Sequence, residues 1–253
     1  MTPKRVEVCK MIEWDTAFFG FRIARVSGDL LSHEQARRID AWCHQNRVRC
    51  LYFLARADDA NTTRLAEKSG FQLVDIRMTL EYRDWDAMRS NRVQQNSAAV
   101  KRFSVPKDVP SLQSIARESY YDTRFYFDTN FPRHLCDSLY ETWIKKSCEG
   151  YADTVLVAEL AGTPVGYISC HLEAPHTGRI GLVGVSSQAR GQGIGQALIF
   201  SALEWFIAQE IQEVLVVTQG RNLVAQRLYQ RCGFLTHAVQ LWYHKWYASL
   251  GED

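Results

Sequence analysis

One segment constrains the fold of this chain more than any other: a short apolar strand that runs through a glycine-rich turn into a long helix. Residues 182–196 read LVGVSSQARGQGIGQ. Beyond the turn, apolar residues recur at helical spacing, at positions 194, 198, 199, 202, 203 and 206. A glycine-rich turn at a helix N-terminus leaves backbone N–H groups free beside a partial positive charge. The segment therefore predicts an anion-binding loop.

Three phosphate-binding patterns compete for this loop. A P-loop ends in Gly-Lys-Ser/Thr, but here Gln196 follows Gly195. The dinucleotide fingerprint G-x-G-x-x-G requires a third glycine where Gln196 stands. Residues 190–195, Arg-Gly-Gln-Gly-Ile-Gly, instead match R/Q-x-x-G-x-G/A, the pyrophosphate loop of the GCN5-related N-acetyltransferases (GNAT). A glycine-rich helix entry that binds no ligand stays open as the alternative for a motif of this length.

Helices and strands alternate along the chain, which indicates an α/β or α+β fold. Periodicity and turn residues predict helices over residues 32–46, 61–69, 111–120, 133–147, 193–209 and 222–231. They predict strands over residues 6–12, 21–27, 51–57, 73–82, 101–105, 155–160, 164–172, 180–186, 214–218 and 235–246. Ser32 and Gln35 form a capping box at the start of the first of these helices, and Asp108 is expected to begin the third.

A polar stretch over residues 84–100 predicts the boundary between two domains, 1–95 and 96–253. The two parts contain similar segments. Residues 61–71 and 222–234 each have a polar start, a leucine-bearing helix and a Gly-Phe stop before a strand. We interpret this similarity as a duplicated half-unit of which only the second copy carries the glycine loop, and chance similarity is the alternative.

Further features follow the loop in the order that the GNAT family shows. Asn222 and Ala225 open the next helix, which ends in Leu-Tyr-x-x-x-Gly-Phe over residues 228–234. Residues 101–247 therefore resemble a GNAT domain. The resemblance implies a mixed, mostly antiparallel sheet flanked by helices, preceded by a partial GNAT-like N-terminal domain. It also implies acetyl-CoA as co-substrate and no metal.

The resemblance assigns residues to coenzyme A one by one. Backbone groups of Val183 and Val185 lie where family members bind the acyl-pantetheine part, residues 190–195 match the pyrophosphate loop, and Asn222 matches a contact to the pantetheine arm. The full set of expected cofactor-binding residues is Leu182, Val183, Val185, Arg190, Gly191, Gln192, Gly193, Ile194, Gly195, Asn222, Ala225 and Tyr229.

Acyl transfer from a thioester to an amine needs a neutral amine, an N–H donor for the oxyanion and a proton for the leaving thiolate. We expect Gly184 to cause a bulge that frees a backbone N–H, and Tyr229 to act as the general acid. A core role for Tyr229, with its hydroxyl satisfied, is the alternative. His171 and Glu173 share a strand face but read as a solvated strand end, so no general base is assigned. Cys232 beside the motif reads as a small buried residue.

The acceptor site is expected in an aromatic segment around residues 119–133. Its candidate residues are Tyr121, Arg124, Phe125 and Tyr126, because aromatic faces with an arginine suit a base and a diphosphate. A hydrophobic lid or interface, in which the aromatic side chains serve packing, is the alternative. Residues 14–20, 123–125, 139–144 and 241–245 also resemble the dTDP-4-amino-4,6-dideoxygalactose (dTDP-fucosamine) acyltransferases. That resemblance implies N-acylation of a nucleotide-linked amino sugar for polysaccharide assembly.

Composition excludes other classes. A net charge of +2 argues against nucleic-acid binding, and no run of 18 apolar residues predicts a membrane span. The N-terminus lacks the apolar core of a signal peptide, and an odd cysteine count without a C-x-x-C pair suits reduced thiols, so we expect a cytoplasmic enzyme. A small-molecule amine is the expected partner, and an exposed sheet edge leaves a homodimer open. An acetyltransferase on a peptide, lysine or aminoglycoside, or a coenzyme A-binding module without turnover, remains as an alternative.

Overall fold

The computed structural model describes residues 7–86, 99–102, 106–173 and 176–248, the side chains of 99–102 excepted. Its internal contacts divide the chain into two units. The first comprises residues 1–77, 124–135 and 239–253, and the second comprises residues 78–123 and 136–238. The boundary predicted between residues 95 and 96 lies outside the described residues, and the division into 1–95 and 96–253 stays a prediction.

Helices and strands alternate as the sequence predicts. The strands are β1 (Cys9–Met11), β2 (Ile23–Val26), β3 (Cys50–Arg56), β4 (Gln72–Tyr82), β5 (Ala99–Arg102), β6 (Thr154–Leu160), β7 (Thr163–Glu173), β8 (Thr177–Val185), β9 (Glu213–Gln219) and β10 (Phe234–Trp246). The helices are α1 (Glu13–Phe19), α2 (His33–Gln45), α3 (Ala60–Lys68), α4 (Val109–Arg117), α5 (Arg124–Phe127), α6 (Arg133–Lys146), α7 (Ile194–Ala208) and α8 (Leu223–Arg231).

In the first unit, β1, β2, β3 and the C-terminal part of β10 lie side by side in that order. β2 runs parallel to β3, and the other two pairings are antiparallel. The helix α2 makes the crossover between the parallel strands and buries its apolar face, including Ile39, against Phe53 and Tyr243. Ser32 and Gln35 form the predicted capping box at its start.

In the second unit, β9, β8, β7, β6 and β5 lie side by side in that order. Only β8 and β9 are parallel, and α7 is their crossover helix. The helix is apolar nearly all round because it packs into the core of this unit through residues such as Leu198, Leu203 and Phe206. A Cβ atom at Gly178 of β8 would come within 2.5 Å of the Phe206 ring, so only glycine allows this close helix–strand packing.

The two units repeat one order of elements. β2, α2, β3 and α3 in the first unit correspond to β8, α7, β9 and α8 in the second, and each series contains one parallel strand pair. After the last helix of each series comes a left-handed glycine, Gly70 with φ 82° or Gly233 with φ 91°, and then a strand. This repetition supports the predicted duplication.

Two local predictions differ from the structure. Asp108 does not cap a helix: it has helical dihedrals and makes no capping hydrogen bond, because a short 3-10 turn over Pro106–Asp108 leads directly into α4. The helix α1 was not predicted, since seven residues, five of them aromatic or acidic, show too short a periodic pattern.

Candidate active site

The parallel strands β8 and β9 part beside the glycine loop. They are paired only from Thr177 with Glu213 to Ile180 with Val216. The last five residues of β8 therefore continue without this partner. Parting strands expose backbone hydrogen-bonding groups along one edge, and such groups need another partner.

The backbone of β8 has an orientation that can be read from its neighbours. The N–H groups of Leu182 and Ser186 both donate towards β7, at 2.8 Å each. Because successive N–H groups of a strand point to opposite edges, those of Val183 and Val185 point to the other edge, where the pairing with β9 has ended. The two residues predicted to bind the acyl-pantetheine part thus have the required orientation.

The bulge in β8 lies at a different residue from the one predicted. Ser169 of β7 stands opposite both Gly181 and Leu182, and its hydroxyl accepts the Leu182 N–H. Gly184 is paired with Tyr167 instead, and its lack of a side chain serves packing, since a Cβ there would lie 2.8 Å from the tyrosine ring. The expectation of a bulge at Gly184 was therefore wrong.

The glycine loop ends in an uncapped helix N-terminus. Gly191 and Gly193 have φ values of 76° and 78°, in the left-handed region that favours glycine. Gly193 is the N-cap of α7 and has no side chain that could bond the first-turn N–H groups. In the corresponding helix α2, Ser32 satisfies one of these donors. The difference leaves the start of α7 open to an anion.

The polar side chains of the loop bind the protein itself. Arg190 donates from its guanidinium to the carbonyls of Val185 and Glu118, at 3.2 and 3.0 Å. Gln192 donates to the Gln188 carbonyl at 3.2 Å. These contacts shape the loop, and the main-chain amides around residues 191–195 are the groups that it could offer to an anion.

The helix α8 packs against the start of α7, where the glycine loop ends. Asn222 is its N-cap and accepts the N–H of Ala225 at 3.0 Å. This gives Asn222 a structural role besides its predicted contact to the pantetheine arm. A Cβ at Gly195 would lie 3.0 Å from Leu228, so glycine permits the close approach of α7 and α8.

Tyr229 lies on α8 and is 5% exposed. Burial raises the pKa of its phenol, which keeps the group protonated at neutral pH. Its ring packs in the core of the second unit beside Phe234, as the core alternative expects, but within the described part of the chain its hydroxyl forms no hydrogen bond. Burial likewise raises the pKa of the Cys232 thiol to about 12, so this cysteine stays protonated.

Sequence reasoning missed a hydrogen-bonded pair of tyrosines in the unit that contains Tyr229. The hydroxyls of Tyr120 and Tyr167 lie 3.1 Å apart. Burial, chiefly, and the neighbouring Tyr167 and Tyr229 raise the pKa of Tyr120. No sequence signal could have paired them, because Tyr120 follows α4 and Tyr167 lies on β7.

The candidate acceptor residues divide between the units. Tyr121 belongs to the second unit and is exposed. Arg124, Phe125 and Tyr126 lie on the short helix α5 of the first unit, where Phe125 is buried among other phenylalanines such as Phe19. Phe125 is thus part of an aromatic core, as the packing alternative expects.

His171 and Glu173, which were predicted to share a solvated strand end, differ in exposure. Glu173 is exposed and forms an ion pair with Arg179, as expected for a solvated strand end. His171 is buried, and burial together with the charge of Arg179 lowers its pKa. Within residues 7–86, 106–173 and 176–248, no group of three or more His, Cys, Asp or Glu side chains could hold a metal, and no helix is long and apolar enough to cross a membrane.

Comparison with known proteins gives this site a family. Residues 110–234 match the acetyltransferase (GNAT) family. The chain is 26% identical over 247 residues to dTDP-fucosamine acetyltransferase of Escherichia coli O6:H1 (strain CFT073), covering 96% of this chain and 100% of that protein. It is 27% identical over 141 residues to the spore coat polysaccharide biosynthesis protein SpsD of Bacillus subtilis (strain 168), covering 56% of this chain and 48% of SpsD.

A solved structure shows the same fold over nearly the whole chain. The GCN5-related N-acetyltransferase from Sphaerobacter thermophilus aligns with a TM-score of 0.63 and 19% identity, covering 94% of this chain and 76% of that one. Residues 110–234 thus form an acetyltransferase domain of the GNAT family. The predicted GNAT acetyltransferase domain, the GNAT fold and the resemblance to dTDP-fucosamine acetyltransferases are confirmed.

Proposed function

We propose that this enzyme transfers the acetyl group of acetyl-CoA to the primary amine of a nucleotide-linked amino sugar. One observation carries the choice of acceptor: the similarity to dTDP-fucosamine acetyltransferase extends over 96% of this chain and all of that relative. A match confined to the GNAT domain would support only the donor. The relation to SpsD, named for polysaccharide biosynthesis, supports a role in the assembly of a polysaccharide.

The donor would bind along the open edge of β8. Its diphosphate would accept hydrogen bonds from the main-chain amides at residues 191–195, where the uncapped α7 adds partial positive charge. Its pantetheine arm would extend the sheet by pairing with the Val183 and Val185 backbone, in the place that β9 has left. The thioester would then lie near α8, which carries Tyr229.

The transfer involves three proton movements. The neutral amine attacks the thioester carbonyl carbon, and the resulting oxyanion accepts a hydrogen bond from an amide of β8. As the tetrahedral intermediate collapses, the carbon–sulfur bond breaks and the thiolate takes the phenolic proton of Tyr229. The nitrogen loses its extra proton to water, and water returns a proton to Tyr229. A thiol is more acidic than a free phenol by roughly 1–2 pKa units, and burial of Tyr229 widens this gap, so the proton transfer depends on the position of the phenol and not on its acidity.

Thiol release from acetyl-CoA tests the proposal. The panel should contain dTDP-4-amino-4,6-dideoxygalactose, the same amino sugar without its nucleotide, a peptide with a free N-terminus, lysine and an aminoglycoside. We expect release with the nucleotide sugar and little with the free sugar. Activity on another amine alone would refute the acceptor, and coenzyme A binding without release on any amine would indicate a binding module. The 4-hydroxy nucleotide sugar is the matched control.

A further inference from the structure

The first unit contains two arginines that lie over one indole ring. The guanidinium carbons of Arg124 and Arg25 lie 4.3 and 5.4 Å from the ring centroid of Trp242. Arg124 also lies over Tyr52, at 4.7 Å. Four separate segments, β2, β3, α5 and β10, supply these residues. We call this set, together with His244, the arginine–tryptophan cluster.

The positive charge of the cluster is not balanced by ion pairs. Among the described residues, neither Arg25 nor Arg124 has a carboxylate within ion-pair distance. Partial burial of its guanidinium, and then the charge of Arg124, lower the pKa of Arg25, although the residue as a whole is exposed. Two acids lie nearby: burial raises the pKa of Asp15 against the influence of Arg124 and Tyr52, and Asp128 accepts hydrogen bonds from His244 and Trp246.

Among the described residues, two buried polar atoms of the cluster have no hydrogen-bonding partner: Arg124 Nε and His244 Nε2. The Tyr52 hydroxyl interacts with the side chain of Asp15, and the Tyr52 ring stacks on His244 at 4.7 Å. Unsatisfied buried polar atoms are rare in proteins, and two in one cluster, one of them on the 0% exposed His244, indicate that another molecule completes the site.

The free atoms define what that molecule offers. Burial, chiefly, lowers the pKa of His244 to about 4, so the ring is neutral. Its Nδ1 lies 2.7 Å from a carboxylate oxygen of Asp128 and therefore donates, which leaves Nε2 as an acceptor. The cluster thus combines guanidinium donors with one acceptor. Guanidinium groups match phosphate oxygens in geometry and charge, and the acceptor suits a neighbouring hydroxyl or N–H of the same ligand.

We propose that the arginine–tryptophan cluster binds the diphosphate of a nucleoside diphosphate, with Arg25 and Arg124 as its ligands. The exposed Arg25 and the half-buried Trp242 give the ligand access from solvent. That this ligand belongs to the sugar acceptor rests on the proposed function, whereas the anion site itself does not. The residues of the cluster belong to the first unit, and the glycine loop belongs to the second.

The test uses full-length enzyme saturated with coenzyme A, so that the glycine loop is occupied. Calorimetric titration with dTDP, and separately with inorganic pyrophosphate, should show binding. Arg25→Ala and Arg124→Ala should each raise the dissociation constant roughly tenfold or more, the usual effect of losing a charge-assisted hydrogen bond. Arg64→Ala removes an equal charge from an exposed position of α3 in the same unit and should leave it unchanged.

Because Arg124 packs on several rings, Arg124→Ala tests binding only if its melting temperature is unchanged. Arg25 is exposed, so Arg25→Ala serves as the independent variant. Absence of dTDP and pyrophosphate binding in the native enzyme, or equal binding in Arg25→Ala and Arg64→Ala, would overturn the site. Loss of binding in Arg25→Ala, with no acetylation of any nucleotide amino sugar, would support the site and reject the proposed acceptor. Acetylation with an unchanged acceptor KM in Arg25→Ala would overturn the site alone.

Discussion

Replacing Gly193 by valine should weaken the binding of coenzyme A at least about fivefold. Gly193 has φ 78°, and it is the N-cap from which the open amides of α7 follow. For a residue with a Cβ atom, the left-handed conformation costs about 1–2 kcal/mol. The loop of the variant therefore favours another conformation. A β-branched side chain also adds bulk where the anion must approach the backbone.

The magnitude follows from two contributions. If the loop must return to the left-handed conformation to bind, the strain of about 1–2 kcal/mol appears in the affinity as roughly a 5–30-fold loss. If it cannot return, at least one amide hydrogen bond to the diphosphate is lost, which costs about 1.5–3 kcal/mol or roughly 10–150-fold. Either route gives a dissociation constant outside the error of a titration.

Gly162 provides a matched control for this experiment. It has φ 77°, lies in the turn between β6 and β7, and a Cβ there would meet nothing within 4 Å. Gly162→Val therefore introduces the same strain away from the loop and should reduce the free energy of unfolding without changing coenzyme A affinity. The assay is calorimetric titration of both variants, with denaturant unfolding beside it. A dissociation constant for Gly193→Val within twofold of the control would refute the role of the loop.

Three further outcomes can be checked with purified enzyme. Tyr229→Phe should lower kcat roughly 10²–10⁴-fold with little change in KM for acetyl-CoA, measured by thiol release, whereas Tyr82→Phe, a buried tyrosine bonded to a backbone carbonyl, should not. Since burial raises the pKa of Tyr229, kcat should show no loss from its ionisation between pH 7 and about 9.5; an alkaline limb in that range that Tyr229→Phe abolishes would contradict this. Gly181→Ala should reduce the free energy of unfolding by about 1–3 kcal/mol in urea, because its Cβ would lie 2.5 Å from His171 and 2.7 Å from Ser169; unchanged stability would argue against the bulge.

The donor side of the site could be predicted from sequence because its determinants are local. The glycines at 191 and 193, the helix that follows and the cap at Asn222 all act within a few residues of themselves. The orientation of Val183 and Val185 follows from strand alternation once β8 is located. The bulge could not be located, because the registry of β8 depends on Ser169 in the neighbouring strand.

The arginine–tryptophan cluster shows the opposite case. Arg25, Tyr52 and Trp242 are far apart in sequence and come together only through the pairing of β2 with β3 and of β3 with β10. Arg124 was a candidate from its aromatic surroundings, but nothing local indicated that a second arginine would share its indole ring. Long-range strand register is what a single sequence specifies least visibly.

The comparison of the two helix starts explains why the repeated units need not share a ligand. At α2, the Ser32 side chain and Gln35 form hydrogen bonds that an anion would otherwise make, so this helix start lacks the open amides of the glycine loop. At α7, Gly193 leaves those donors free. The N-cap residue, serine in α2 and left-handed glycine in α7, therefore decides whether the first-turn N–H groups are satisfied or open. Once its helix start is capped, the first unit can carry a different anion site on its sheet, and the arginines over Trp242 are where the structure has the charge to do so.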